Sequence, residues 1–337
     1  MEYRKLGQTD LEVSVVGLGA NVYGPPRLNQ EQTIINIGRA LELGVNFIDT
    51  AIGYGEGQSE TFIGNALEGK RDQMIIATKF SMRSRKEGAS AKEHILSQAE
   101  DSLRKLQTDH IDLYQMHQPD NSLTSEELLE PLAQLVEEGK VRHLGESNFG
   151  AWRHAATNAT AEAHGWPKMV SSQNHYNVLR RHVELEIIPY CERFGVAFLP
   201  YFPLGGGFLT GKYQPGQAPP AGSRGAEGSG IISKTRNTRN ETLLTQLEAY
   251  CQERGHTVLD LAFAWLLAHP CIPSVIAGTS SEAQIEGNVA AASWQLTPEE
   301  LDEVNQIAAW DGSGEVVDGS SGGVGARAVQ GATTQPR

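Results

Sequence analysis

The strongest constraint on this chain is an alternation. Eight short apolar, β-rich runs recur along it, separated by stretches that include clear helical patterns. The runs are VSVVGLG (13–19), VNFID (45–49), MIIATK (74–79), HIDLYQM (110–116), VRHLGES (141–147), MVSSQN (169–174), VAFLPY (196–201) and IPSVIAG (272–278). Each is nearly continuous in apolar character, as expected of strands covered by helices on one side and packed on the other. Between them lie helical patterns such as EQTIINIGRALELG (31–44), AKEHILSQAEDSLRKLQ (91–107) and SEELLEPLAQLVEEGK (125–140). The first and third end at Gly44 and Gly139, where a helix stops readily. Eight such runs over about 280 residues predict a (β/α)8 TIM barrel. The competing open sheet would carry a G-x-G-x-x-G turn after its first strand. Here Gly17 and Gly19 are followed by Ala20-Asn21-Val22, so that fingerprint fails.

The flanking segments follow from the same reading. YRKLGQTDLEV (3–13) predicts a small hairpin turning at Gly7–Asp10 and capping the bottom of the barrel. YQPGQAPPAGSRGAEGSG (213–230) follows the seventh run and predicts a long loop at the strands' C-terminal face, where lids and mobile connections occur. Residues 1–310 are expected to form one barrel domain. The stretch 311–337 has too little apolar content to fold alone and is expected to be a disordered tail. Net charge is −13, from 41 acidic against 28 basic residues. That argues against nucleic acid or an anionic membrane as main partner, since both demand a basic face, and leaves room for a basic pocket around one cofactor. Cys191, Cys251 and Cys271 are too scattered for a disulfide framework or a zinc knuckle. MEYRKLGQTD lacks the apolar core of a secretory signal. LDLAFAWLLAHP (259–270) falls well short of the ~20 residues of a membrane span. A reduced, cytoplasmic protein is expected, its oligomeric state open.

Four residue types sit where one chemistry needs them. Asp49, Lys79 and His117 each end one of the apolar runs, and Tyr54 lies on the loop after Asp49. If the runs are successive parallel strands, all four gather at the rim where barrels build active sites. Ionised Asp49 would hold the Lys79 ammonium, and either charge would be costly to bury alone. Lys79 beside Tyr54 is expected to favour the phenolate, lowering the tyrosine pKa from about 10 toward working pH. His117 can orient a carbonyl oxygen or share its proton. The set suits carbonyl reduction once a hydride arrives from elsewhere. Any one of these residues alone reads more simply as an unrelated buried polar group; four together favour a site. Asp49 and His117 have no H-x-H or carboxylate cluster to complete a metal shell, so no metal is expected. His110, His143 and His175 read as packed or exposed, with His110 at the far end of the strand that leads to His117.

DTAIGYGEGQSE (49–60) is similar to the D-T-A-x-x-Y-G-x-G-x-S-E signature of the aldo-keto reductase family. ATK (77–79), IDLYQMH (111–117), GESN (145–148), QNHYN (173–177), YFPLGGGFLTGKY (201–213) and IAGTSSEAQIEGNVAA (276–291) resemble its other blocks, from about Met1 to Trp310. The resemblance implies a nicotinamide cofactor held without a Rossmann domain, with Tyr54 as general acid assisted by Lys79, Asp49 and His117. It implies that Ser147, Asn148 and Gln173 hold the nicotinamide carboxamide and that Tyr201 stacks on the ring. Leu204 belongs to the same implied cofactor set. Thr279, Ser280 and Ser281 can cap a helix after Gly278 whose amides suit a phosphate. Gln284 and Asn288, four residues apart, share one face toward that phosphate or the adenine.

This chain departs from the family pattern at several positions. NADPH-preferring members place a basic residue where Gly278 or Gln284 stands here, so NADPH is expected with a modest preference and NADH is not excluded. Glu146 replaces an apolar residue, a carboxylate needing a partner that the sequence does not name. Phe202 replaces a small polar residue, and Asn21-Val22 replace a position where an aromatic lines the substrate pocket. The expected activity is reduction of a small-molecule aldehyde or ketone to an alcohol. The alternative is a regulatory subunit of the same fold that senses cofactor redox state; a metal-dependent hydrolase is the weakest reading.

Overall fold

The computed structural model describes residues 1–213 and 216–310, so the expected tail lies outside the described residues. A hairpin of β1 (Tyr3–Lys5) and β2 (Glu12–Ser14) comes first. The strands β3 (Val16–Gly19), β4 (Phe47–Asp49), β5 (Ile75–Phe80), β6 (Ile111–Met116), β7 (Val141–Ser147), β8 (Met169–His175), β9 (Ala197–Tyr201) and β10 (Val275–Ala277) follow. They form one parallel sheet in the order β10-β3-β4-β5-β6-β7-β8-β9. At the seam between its two ends, the Phe198 N–H donates to the Cys271 carbonyl at 2.7 Å. The result is the expected (β/α)8 barrel.

Helices α1 (Gln30–Glu42), α2 (Ser59–Ala66), α3 (Ala91–Leu106), α4 (Ser125–Glu137), α5 (Ala151–His164) and α6 (Ile187–Phe194) cover successive strand connections. Three of them start on reciprocal caps that satisfy otherwise orphaned amides: Asn29 with Gln32, Ser90 with Glu93, and Thr124 with Glu127. Gly44 and Gly139 follow α1 and α4 with φ of +78° and +71°, the left-handed turn that ends a helix. After β9 come α7 (Gly230–Thr235), α8 (Thr238–Glu253) and α9 (Val258–Leu267), then α10 (Glu282–Ala291) and α11 (Pro298–Ile307). The apolar run at 259–270 is mostly α9, buried on nearly every face. Among the described residues, no helix is long and apolar enough to cross a membrane.

One expected strand divides. The run 13–19 contributes Val13 and Ser14 to the hairpin strand β2 and Val16–Gly19 to the barrel, with Val15 between them. The Val15 N–H still donates to Glu2 while its carbonyl accepts from Val275, so the chain changes partner within one residue. Both partners want apolar residues, which hides the switch in the sequence. The hairpin caps the bottom as expected. Leu6, Leu11 and Val13 pack into the lower barrel interior with Phe47, Leu113, Leu199 and Ile276.

Candidate active site

Strand alternation builds the site. Going up each strand, an apolar or small inward residue is followed two positions later by a polar one: Phe47 then Asp49, Ala77 then Lys79, Leu113 then Gln115, Leu199 then Tyr201. Gly145 then Ser147 and Ser171 then Gln173 continue the ring, and a side chain at Gly145 would collide with Ser171. The lower layer is therefore a packed plug and the upper one a polar floor.

At its centre lies a buried ion pair. Lys79 Nζ donates to Asp49 Oδ2 at 2.6 Å and to the Thr50 carbonyl at 2.8 Å. Asp49 Oδ1 accepts from Gln173 at 2.8 Å and from Gln115 at 3.2 Å. Four hydrogen bonds offset the desolvation of two charges. Gln115 was not singled out in the sequence, although it stands at the inward position two residues before His117. Burial pulls the Lys79 ammonium down, but Asp49 and Tyr54 more than compensate, and it sits above the ordinary lysine value.

Tyr54 stands on the turn after β4, held there by Gly55, whose φ is +56° and whose backbone packs on Gly24 of the neighbouring loop. The Lys79 ammonium lies 5.0 Å from the Tyr54 ring centroid, and the His117 ring meets Tyr54 edge-on at 5.6 Å. The expected fall in the Tyr54 pKa is corrected here. Burial raises it, Lys79 lowers it, and Asp49 raises it again, so the net direction is upward. Asp49 cancels much of the charge that Lys79 would project onto the phenol. Burial, then Lys79 and Arg83, bring His117 down to about 3, so it is neutral.

Beside this pair runs a cavity of about 970 Å³, reaching from Tyr54 and His117 to the start of α10. Ser147, Asn148, Gln173, Tyr201 and Leu204 line its middle. Asn148, at φ +65°, is fixed by donating to the His117 carbonyl at 3.0 Å and to Ser147 Oγ at 2.9 Å, and it accepts from Tyr201 OH at 2.8 Å. Gly278, Ser280, Gln284 and Asn288 line the far end. Thr279 is buried and outside the lining, and Ser281 is spent as the N-cap of α10, accepting from the Gln284 N–H. Gln284 Oε1 accepts from the Ser280 N–H at 2.8 Å and from Ser280 Oγ at 3.2 Å.

The loop after β9 brings two cations not named among the expected site residues, Lys212 at the end of the block 201–213 and Arg224 outside any motif, and both line the cavity. Arg224 donates to Asn21 Oδ1 at 3.3 Å and lies over the Phe202 ring at 5.8 Å. A Cβ on Gly278 would lie 3.5 Å from its Nη2, so this guanidinium stands near the position where a basic residue was missed. Arg27 and Glu227 pair across the mouth. Glu146 finds its partners outside the barrel wall: Oε1 meets His154 Nδ1 at 2.9 Å and Oε2 accepts from the Phe149 N–H at 3.0 Å. His143 pairs with Asp10 and His175 packs on Tyr201, consistent with structural roles.

The model of the Aldo/keto reductase family matches residues 15–309. The chain belongs to that family. Its relatives include "Aldo-keto reductase YhdN" of Bacillus subtilis (strain 168), 32% identical over 91% of this chain and 93% of that protein. "Versiconal hemiacetal acetate reductase" of Aspergillus parasiticus is 31% identical over 89% and 95%. "Putative voltage-gated potassium channel subunit beta" of Schizosaccharomyces pombe (strain 972 / ATCC 24843) is 31% identical over 90% and 92%. Membership supports an oxidoreductase that uses a nicotinamide cofactor. The cavity suits such a group chemically, with amide and hydroxyl side chains at one end and a helix N-terminus with cations at the other.

Proposed function

We propose that this family member reduces an aldehyde or ketone to an alcohol at the expense of NADPH, with residues 1–310 as the whole catalytic unit. The observation that carries this reading is a neutral, half-buried phenol, Tyr54, facing a cavity beside the Lys79–Asp49 pair and a neutral His117. A reduced nicotinamide supplies the hydride when bound. Tyr54 OH donates its proton to the substrate carbonyl oxygen, and its raised pKa keeps that proton available across neutral pH. Lys79, behind the ring, stabilises the phenolate left after transfer; Asp49 holds Lys79. His117 donates a hydrogen bond to the same oxygen and sets its position. Asn148 and Gln173 orient the carboxamide, Asn148 Oδ1 keeping a second lone pair for its NH2 group. The Tyr201 face supports the ring. Lys212, Arg224 and the first turn of α10 carry the phosphates, and NADPH is preferred to NADH. The reading places the protein in the cytoplasm.

The test is NADPH oxidation by the purified protein with a panel of aldehydes, set beside Tyr54→Phe. The variant should lose at least ~10²-fold in kcat, in line with general acid catalysis, and bind NADPH as before. Ordinary turnover by the variant would remove Tyr54 from the mechanism. The likeness to a channel β subunit supports a second reading, a redox-sensing regulatory subunit. Cofactor binding with no turnover on any carbonyl would favour it.

A further inference from the structure

The cavity has a charge pattern opposite to that of the chain. Net charge is −13, yet among the described residues its lining carries four cationic side chains, Arg27, Arg83, Lys212 and Arg224, and one acid, Asp49. Asp49 is matched by Lys79. Barrel order divides the cations. Lys212 and Arg224 rise from the loop after β9, next to Gly207 and Gly278, on the side of α10. Arg27 is paired with Glu227. Arg83 belongs to the turn directly after β5, and β5 stands four strands from β9 in a ring of eight, across the mouth. Its wall also carries Ser81, Ser84 and Gln118. Its field reaches His117, where it adds to the forces that keep the imidazole neutral. A charge so placed faces the substrate rather than the cofactor phosphates. Asp120, on the loop after β6, is bonded to Ser122 and does not line the cavity.

We propose that the substrate is an anionic carbonyl compound, an aldehyde or ketone whose far end carries a carboxylate or similar charge, selected by Arg83 across the mouth from the cofactor site. The inference rests on the carbonyl-reductase reading of this same site. Such a substrate places its carbonyl oxygen at Tyr54 and His117 and points its anionic end outward along the β5 wall. A guanidinium there attracts the anion before contact and holds it after, so the effect falls on kcat/KM and weakens with salt. The Ser81 hydroxyl, which accepts from the Arg83 N–H and keeps its own proton, can add a hydrogen bond to the same group.

The test compares 4-formylbenzoate with its methyl ester, nearly equal in shape and different in charge, and repeats the comparison with 5-oxopentanoate and its ester. With saturating NADPH and low salt, the wild-type protein should favour each acid in kcat/KM by about fivefold or more, less than a full charge-assisted hydrogen bond because solvent screens the exposed guanidinium. The ratio should shrink as salt rises. Arg83→Gln should bring it near one, Arg83→Glu should invert it, and Arg83→Lys should keep part of it. Arg83 is exposed, so these variants are expected to fold, and thermal melts check that they do. An ester used as well as its acid by the wild type overturns the proposal, and so does a ratio that survives Arg83→Gln. Reduction of neither acid nor ester would instead count against the reductase reading.

Discussion

Both ends of this barrel hold bonded charged groups and use them in opposite ways. At the bottom, Asp112 accepts from Arg71 at 2.7 Å, from Arg142 at 2.9 Å and from the Ile76 N–H at 2.9 Å. Arg142 also reaches Asp10 at 2.7 Å, in the hairpin turn, where His143 joins at 2.8 Å. These bonds stitch the cap to the strands and join the charged groups to one another. At the top, the Asp49–Lys79 pair is just as well bonded, but its neighbours Tyr54, His117 and Asn148 face open space. The bottom spends its polar groups on one another; the top keeps some for a ligand. The difference separates stability from function along one axis, and each variant below tests that separation.

Lys79→Met should have the largest effect because it acts on both sides of the comparison. It leaves Asp49 buried with only the two glutamine amides, at a cost of about 3–5 kcal/mol, and removes the charge that stabilises the phenolate. Urea melts and turnover should fall together. Adding Asp49→Asn should recover much of the stability and none of the activity. Recovery of both would show that the pair is structural only. Asp112→Leu is the matching experiment at the bottom. It removes one partner from two guanidiniums that are 18% and 39% exposed and keep other partners, Arg142 at Asp10 and Arg71 at the Met74 carbonyl, so the cost is about 2–3 kcal/mol, under the full value for a buried pair. Here kcat and KM should stay at wild-type values below the melting range. A changed kcat would show that the two ends are coupled.

Acid should separate the ends as well. Burial is the first cause that holds His117 and His175 to about 3 and His182 to about 4, and all three lie at or beyond strand tops. Their folded values are depressed below an unfolded value near 6.5, so the unfolded chain binds more protons between about 4 and 6.5. Stability therefore falls as pH drops through that window. At the bottom, the His143 hydrogen bond leads the causes that hold Asp10 below 3.8. That contribution is present above the ordinary carboxylate value and fades only as pH falls below it. Hydrogen exchange at pH 5 against pH 7 should show protection lost first near residues 117–120 and 175–182, with the hairpin at 3–14 still protected. Loss at the hairpin first would reverse this order.

The fold was legible because helix caps and apolar runs are local signals, and seven of the eight barrel strands coincide with single runs. The run at 13–19 misled because a partner switch at Val15 leaves no mark on hydrophobicity. Three of the four catalytic candidates were named from their positions at the ends of apolar runs, and Tyr54 from the loop that follows the first of them. The direction of the Tyr54 shift was not, since it depends on Asp49 lying close enough to offset Lys79. Gln115 was recoverable from alternation alone. Arg224 was not: it stands in a Gly-, Pro- and Ala-rich loop, and only the fold brings it beside Asn21 and Gly278. The partner of Glu146 is His154, eight residues on and on the next helix, which no strand pattern indicates.

The smallest predicted effect tests how the top holds its ligand. Gln284 is exposed, and its Oε1 occupies the Ser280 N–H and hydroxyl at the start of α10. Gln284→Arg should free that amide and add a guanidinium at the same point. NADPH should bind more tightly by about 1 kcal/mol, below the ~1.5–3 kcal/mol of hydrogen bonds to charged groups because solvent screens the site. NADH, lacking the 2′-phosphate, should change little in a parallel calorimetric titration. If both cofactors tighten equally, the gain comes from the freed Ser280 amide acting on the diphosphate they share. Position 284 would then regulate access to the helix N-terminus rather than choose between cofactors. If neither tightens, Arg224 already satisfies the phosphate, and Arg224→Gln should then weaken NADPH more than NADH.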